Sequence, residues 1–475
     1  MIMRRHVLAG FLIAMVGATG AQGAAKQRNI VFVLIDDMRH DAMSMMGHRY
    51  LETPAIDSLA KGGVHFRNAF VTTSLCSPSR ASFLCGMYAH QHNVLDNQTR
   101  LDPKAPTFPK LLQEAGYGTA FVGKWHMGGS SDEPRPGFDH WVSFKGQGNY
   151  FDNHYNIDGE TKLIKGYVTD VITEKSMDWL RQHHDEPFML YMSHKAVHGL
   201  FRYPDRHKDK YADVKIEFPE SMADTPENYY RKPAWVKRQR ASWHGVDDMY
   251  FKAMSLTEVV RDYNRAMLAV DESVAALVKT LKELGLFEST LIVFAGDNGF
   301  LFGEHGLIDK RCMYEESIRI PWIVSCPDLY GKGKVVDQMV LNIDLAPTLL
   351  EAAGLVIPST MQGRSFLRLP NETGMPWRDA FLYEYFWEGA FPETPSCLGV
   401  RTDRHKYVEY HGVWDTNELY DLEKDPKEMH NRLSTSKRKE VTADEGYEKI
   451  YRQLQRQLAQ LADEVGARTL PSWKQ

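Results

Sequence analysis

Cysteine is scarce in this chain: Cys76, Cys85, Cys312, Cys326 and Cys397 are the only five in 475 residues. So odd and sparse a set excludes a disulfide scaffold and leaves at least one thiol outside intramolecular pairing. Positive charge is not in excess either. The formal net charge is −5 with histidine neutral, which speaks against nucleic acid or an acidic membrane surface as partner. An anionic substrate would have to be met by local positive charge at a site. No apolar run is long enough to span a bilayer, and there is no internal repeat or low-complexity stretch. What remains is the composition of a soluble globular protein, 43% hydrophobic and 25% charged, sized for one large α/β domain with a smaller companion.

Residues 1–25 read as an export signal. Arg4 and Arg5 precede an apolar run from Val7 to Val16, and small residues follow from Gly17 to Ala25, with cleavage expected around Ala21 to Ala25. No cysteine near that point suggests a lipid anchor, and the surroundings of Arg4-Arg5 do not favour a twin-arginine signal. The expectation is an exported protein, periplasmic or secreted.

Asn29 to Ile35 is a continuous β-branched apolar run, as expected of a strand buried on both faces, and Phe188 to Met192 and Leu291 to Ala295 read alike. Helical spacing is clearest from Thr257 to Leu284, with Gly285 as a C-terminal cap, and a second candidate runs from Phe108 to Ala115 before Gly116. Strands alternating with helices predict an α/β fold with a large, mainly parallel or mixed sheet sandwiched by helices. Residues 202–256, rich in Lys, Arg, Tyr, Trp and Pro, break the rhythm and read as an insertion. The catalytic domain is expected over 26–370 and a C-terminal α+β subdomain over 371–475, with strands at Val400 to Tyr410 and Glu418 to Leu422 and a helix from Glu445 to Glu464.

Two buried strands end in polar pairs, Asp36-Asp37 and Asp297-Asn298. Ligands bind beyond the carboxyl ends of strands in such sheets, and three carboxylates with an amide oxygen suit Ca²⁺ or Mg²⁺. Each Asp could instead cap a turn; two pairs in the same context favour a metal. Between them in sequence stands Cys76-Ser77-Pro78-Ser79-Arg80. Pro78 fits a helix's first turn, placing Cys76 at a helix N-terminus, where an anion is favoured, and Arg80 one turn on faces the same side. A nucleophilic thiol of depressed pKa would also account for this pattern.

The string from Cys76 through Arg80 to Gly86 resembles the signature of type I, formylglycine-dependent sulfatases of the alkaline phosphatase superfamily. Gly116 to Thr119 with Gly123-Lys124-Trp125-His126 resembles their second signature, with Lys124 and His126 expected on one side of a strand. Ser193 to His198, Gly303 to Lys310 and Leu419 to Pro426 resemble further family segments. The resemblance implies that Cys76 is oxidised by a formylglycine-generating maturation enzyme to formylglycine (3-oxoalanine). It implies Asp36, Asp37, Asp297, Asn298 and a hydroxyl of residue 76 as ligands of Ca²⁺, less so Mg²⁺. Arg80 and Lys124 would steady residue 76, and Lys310 and His198 would bind sulfate and help protonate the leaving alkoxide. His126 would deprotonate the remaining hydroxyl to release sulfate from a covalent ester on residue 76. Two departures stand out: Cys85 where Thr is common, and Val197 where Pro is frequent, which would leave the loop carrying His198 less rigid.

For substrate, the segment from Phe108 to Gly148 is similar to bacterial carbohydrate sulfatases, including those acting on N-acetylglucosamine 6-sulfate. A sulfated glycan is the expected partner, with Asn97 and His305 as possible substrate contacts; loop packing serves His305 equally well. Trp235, Trp243, Trp387 and Trp414 could stack on sugars or fill the core, and Lys and Arg between 202 and 240 could meet a polyanion or simply be solvated. The alternatives are an arylsulfatase of broad specificity, a phosphonate or phosphodiester hydrolase with the same metal site, a non-catalytic glycan binder and an ordinary thiol hydrolase.

Overall fold

A computed structural model of the chain describes residues 27–412, 416–435 and 441–467. The export segment expected over 1–25, and Trp414, lie outside them. Strand β1 (Ile30–Ile35) is buried at all six positions. Ile30, Phe32 and Leu34 face one helical layer while Val31, Val33 and Ile35 face the other, which is why the run shows no polar alternation.

The sheet around it has nine further strands: β2 (Val64–Phe66), β3 (Gly118–Gly123), β4 (His140–Ser143), β5 (Phe151–Ile157), β6 (Glu160–Tyr167), β7 (Phe188–Ser193), β8 (Leu291–Gly296), β9 (Trp322–Ser325) and β10 (Lys334–Val336). Their spatial order is β10-β2-β9-β8-β1-β7-β3-β4-β5-β6. From β8 to β4 the strands are parallel, whereas β9 runs against both its neighbours and β5 and β6 add an antiparallel hairpin. Helices α1 (Pro54–Lys61), α4 (Val168–Gln182) and α5 (Leu256–Glu283) cover one face; α2 (Cys76–Cys85), α3 (Phe108–Glu114) and α6 (Leu345–Ala352) cover the other. Helix α5 matches its sequence pattern almost residue for residue. Ser255 and Glu258 form a capping box, the predicted stripe from Tyr263 to Leu281 is buried, and Gly285 turns left-handed at φ 71°.

Residues 202–256 carry only short turns and the six-residue helix Ala234–Gln239. Much of their positive charge is paired: Arg206 with Asp170 and Glu272, Arg231 with Asp444, Lys237 with Asp224, Arg238 with Glu393, Arg240 with Asp247 and Lys252 with Asp248. Trp235 is core, edge-on to Tyr410.

Toward the C-terminus β11 (Ala380–Tyr385), β12 (Ser396–Thr402), β13 (His405–His411) and β14 (Glu418–Asp421) form a four-stranded antiparallel sheet, backed by α7 (Glu448–Val465). The run from Val400 to Tyr410 is not one strand but parts of both arms of a hairpin, Val400 lying opposite Tyr407; the polar Asp403-Arg404 step makes the turn. This sheet shares its interior with the first, and Phe381 stacks on Phe70 at 5.1 Å. All five cysteines are buried free thiols. Among the described residues no helix is long and apolar enough to cross a membrane.

Candidate active site

Strands β8, β1, β7 and β3 are parallel neighbours whose ends fall level. Ile35 pairs with Gly296, Leu34 with Ser193 and Ser193 with Gly123. The residue after each strand therefore emerges at one edge: Asp36 after β1, Asp297 after β8, His194 after β7 and Lys124 after β3. Equal registers bring the two polar pairs together. The Asp37 amide donates to Asp297 Oδ1 at 2.9 Å, and Asn298 Nδ2 donates to Asp37 Oδ1 at 2.7 Å.

Helix α2 aims its N-terminus at this cluster. Leu75 is extended, Cys76 opens the helix, Pro78 sits in its first turn and Gly86 closes it left-handed. Cys76 Sγ lies 3.4 Å from Asp36 Oδ1 and 3.9 Å from Asp37 Oδ1. One turn on, Arg80 donates from Nε to Asp297 Oδ2 at 2.9 Å and from Nη1 to Ser193 Oγ and the Lys124 carbonyl. Lys124 Nζ pairs with Asp36, and Lys310 Nζ bridges both oxygens of Asp37. His198 Nε2 stands 3.9 Å from Asp37 Oδ2. The catalytic and metal-site residues named from sequence thus converge on one point, although they span positions 36 to 310.

One expectation is corrected in detail, and two others gain a structural context. Strand β3 ends at Gly123, and His126 has φ 63°, so strand alternation is not what orients Lys124 and His126; a loop folded over α2 does so, Ser77 Oγ donating to the His126 carbonyl at 2.7 Å. Val197, standing where proline is frequent in the loop carrying His198, keeps a backbone amide. The Val197 amide donates to the Asp36 carbonyl at 2.7 Å, a bond proline cannot make. His305 is buried, stacked on Tyr314 at 4.0 Å and away from the pocket, so packing is its observed role.

Burial raises the Asp297 carboxyl to about 7, with Asp36 and Asp37 adding and Arg80 and Lys124 opposing. Burial and Asp36 also raise Asp37 against the pull of Lys310. Burial works against the charged form of Asp36 too, but Lys124, His198, Arg80 and Lys310 hold it well below the usual carboxylate range. Burial pushes the Cys76 thiol up, which does not fit an activated thiolate. Burial, then Lys124, keep His126 and His198 well below their ordinary value and hence neutral.

The donor set fits a hard divalent cation. Asp36, Cys76 and Asp297 offer ligand atoms within 4.8 Å of one another, and the Asn298 Oδ1 is buried without a hydrogen-bond partner. Clustered carboxylates that repel one another and an orphaned amide oxygen are what such an ion would satisfy.

Outward from this point opens a pocket of about 500 Å³. Asp96, Asn97 and Gln98 line one side; Trp243, His244 and Phe391 line another. Asn97 Oδ1 accepts from the Ser77 amide at 3.0 Å, so this side chain also ties down the helix start. Sequence reasoning missed Arg311, Glu388, His244 and Phe391. Arg311 donates to Glu388 Oε2 at 2.7 Å and pairs with Asp309, which lies 3.4 Å from His244. Asp309 and Arg311 flanked a predicted residue, but their left-handed backbone (φ 84° and 80°) left no sequence signal, and Glu388 comes from the C-terminal part of the chain.

An edge acidic enough to hold a cation, and basic enough beside it to neutralise an oxyanion, defines a hydrolase of esters of strong oxyacids. Residues 28–355 match the sulfatase family, and residues 303–464 match the C-terminal region described as N-sulphoglucosamine sulphohydrolase. The chain belongs to the sulfatase family, hydrolases of sulfate esters. It is 34% identical over 464 residues to an N-acetylglucosamine-6-O-sulfatase of Bacteroides thetaiotaomicron, covering 86% of this chain and 82% of that one. A solved structure of a protein in complex with its substrate D-glucosamine-2-N,6-O-disulfate superposes with a TM-score of 0.86 at 30% identity, over 95% of this chain and 100% of the other. A phosphonate monoester hydrolase of Agrobacterium radiobacter, 21% identical over 92% and 96% of the two chains with a TM-score of 0.74, shares the fold.

Proposed function

We propose that the protein removes a 6-sulfate from a glucosamine-type unit of a sulfated glycan, using residue 76 matured to formylglycine and a Ca²⁺ held by Asp36, Asp37, Asp297 and Asn298. The observation that carries this reading is the meeting of those four donors with Cys76 directly behind Lys310 and His198, which line the pocket. Four buried protein oxygens leave little room for the water shell Mg²⁺ retains, which favours Ca²⁺. Bound together, the cation and the hydrated aldehyde supply an acidified hydroxyl as nucleophile.

The chain's own side chains do the rest. Arg80 and Lys124 hold Asp297 and Asp36 and thereby the floor against which residue 76 sits. Lys310 offers its ammonium to sulfate oxygens beside Asp37. His198, 20% exposed, faces the pocket from the same side; the negative charge of bound sulfate would first have to draw a proton onto its otherwise neutral ring before it could pass one to the leaving sugar oxygen. Neutral His126, whose Nε2 accepts from the Gln147 amide at 2.9 Å, would exchange that donor for residue 76 to take the proton that frees sulfate.

A glycan suits the walls. Trp243 and Phe391 lie 12° from parallel at 5.9 Å and offer a flat apolar face, opposite amide and carboxylate groups suited to hydroxyls. Export and maturation by a formylglycine-generating enzyme belong to the same proposal.

The test is sulfate release by purified protein from N-acetylglucosamine 6-sulfate, an aryl sulfate and a phosphonate monoester, with mass analysis of the peptide spanning Cys76. The expected result is an aldehyde at residue 76, preference for the sugar, and no release by Cys76→Ala. Full activity with an unmodified thiol, or faster turnover of the phosphonate, would overturn the reading.

A further inference from the structure

Beside the active-site pocket, and meeting it at Gln147, Gly199 and Leu200, lies a second and more open cavity of about 500 Å³. Its lining holds two cations, Lys195 and Arg202, and no acidic side chain. Lys195 stands two residues past the end of β7 and three before His198, and no role above uses it. It is 4% exposed, yet among the described residues its ammonium has no hydrogen-bond or ion-pair partner; it rests over the Tyr150 ring at 4.8 Å. Other buried lysines are settled differently: Lys124 lies on Asp36, Lys310 on Asp37 and Lys406 on Glu428, and Lys232, which also lies over tyrosine rings, donates to the Glu428 carbonyl at 2.6 Å.

A buried ammonium without a counter-charge is costly. Burial, and then Lys124, push Lys195 down to about 7, despite Asp36 and Asp37 nearby. The negative charge missing from this cavity is what a ligand can bring. Arg202, exposed at the rim, adds a planar fork suited to an oxyanion. Tyr150 joins the two cavities: its ring carries Lys195 and its hydroxyl donates to the His198 carbonyl at 2.6 Å.

We propose that this second cavity is a subsite for another anionic group of the substrate, a sulfate or carboxylate on the same sugar or its neighbour, held by Lys195 and Arg202 while the scissile sulfate lies against Lys310 and His198. The proposal rests on the glycan reading above and extends it to polyanionic substrates.

The experiment compares kcat/KM for sulfate release from three probes. These are N-acetylglucosamine 6-sulfate, D-glucosamine-2-N,6-O-disulfate, and a 6-sulfated glucosamine linked to a uronic acid. The mature enzyme is tested beside Lys195→Met and Arg202→Gln. The enzyme should favour at least one doubly charged probe over the first by about tenfold, the size of one charge-assisted hydrogen bond. Lys195→Met should erase that preference, chiefly through KM, and the probe on which it does so identifies where the second anion sits. Equal kcat/KM on all three probes, or the same loss on all three in Lys195→Met, would overturn the subsite. Should Lys195→Met fail to fold, Arg202→Gln decides: about a threefold loss confined to a doubly charged probe supports the subsite, and no selective loss overturns it. No turnover of any sugar while an aryl sulfate is still cleaved would overturn the glycan reading and the subsite with it.

Discussion

Lys310 lays its ammonium across both oxygens of Asp37, at 2.5 and 2.7 Å, from 273 residues further along the chain. The same carboxylate accepts from Asn298, so the ammonium proposed to meet sulfate and the donors proposed to hold the cation share one group. Burial disfavours the charge on Lys310, but Asp309 and Asp37 raise its pKa well above the ordinary value, and it stays an ammonium at every working pH. Lys310→Ala should lower kcat by about 10²- to 10³-fold, the range for losing one preorganised charge donor. Measuring sulfate release alongside bound metal checks this, with metal content expected to persist.

Arg80 anchors α2 to the sheet edge through Asp297, Ser193 and the Lys124 carbonyl. Lysine cannot reproduce that fork. Arg80→Lys, which keeps the charge but loses the fork's hydrogen bonds, should cost about 1.5–3 kcal/mol of stability and abolish turnover. Urea midpoints of the two proteins would show it; an unchanged midpoint would mean the fork is dispensable.

Removal of the cation should matter for stability as well as rate. Without it, Asp36, Asp37 and Asp297 crowd together, and burial and Asp36 raise Asp297 to about 7. A chelator should lower the melting temperature by several degrees and stop sulfate release, and Ca²⁺ should restore both at lower concentration than Mg²⁺. Thermal melts and assays across a metal titration test the order.

His90 predicts a pH dependence away from the catalytic point. Its Nδ1 lies 2.8 Å from Glu384 in β11 and its Nε2 lies 3.0 Å from the Val465 carbonyl at the end of α7. Two acceptors demand two donors, hence an imidazolium. Burial alone would lower its pKa, but the Glu384 hydrogen bond and charge outweigh it and the value is raised above 6.5. A raised folded-state pKa gives stability fully present below pH 6.5 and lost as pH climbs through the folded value. Denaturation midpoints should therefore fall over that window, and His90→Gln should flatten the fall.

Much of the site was legible because it follows strand ends. An apolar run followed by Asp36-Asp37, and another by Asp297-Asn298, needed only equal parallel registers to meet. Pro78 and Gly86 marked both ends of the nucleophile helix, and the stripe of α5 gave that helix within a residue. The Lys124–His126 segment was placed in the site but assigned the wrong geometry, since the strand stops at Gly123. Trp243 in the wall and Trp235 in the core look alike in sequence, because solvation of an indole is decided by what packs over it.

The chain by itself determined which residues reach the edge, because covalent order and hydrophobic periodicity act over a few neighbours and decide where each strand and helix stops. Tertiary structure alone decided the pairings: Arg80 with Asp297 across 217 positions, Lys310 with Asp37 across 273, and Lys195 with no carboxylate among the described residues. Such partners are chosen by burial, where a charge left in low dielectric must find its counter-charge from whichever loop folds nearest, or wait for a ligand to bring one.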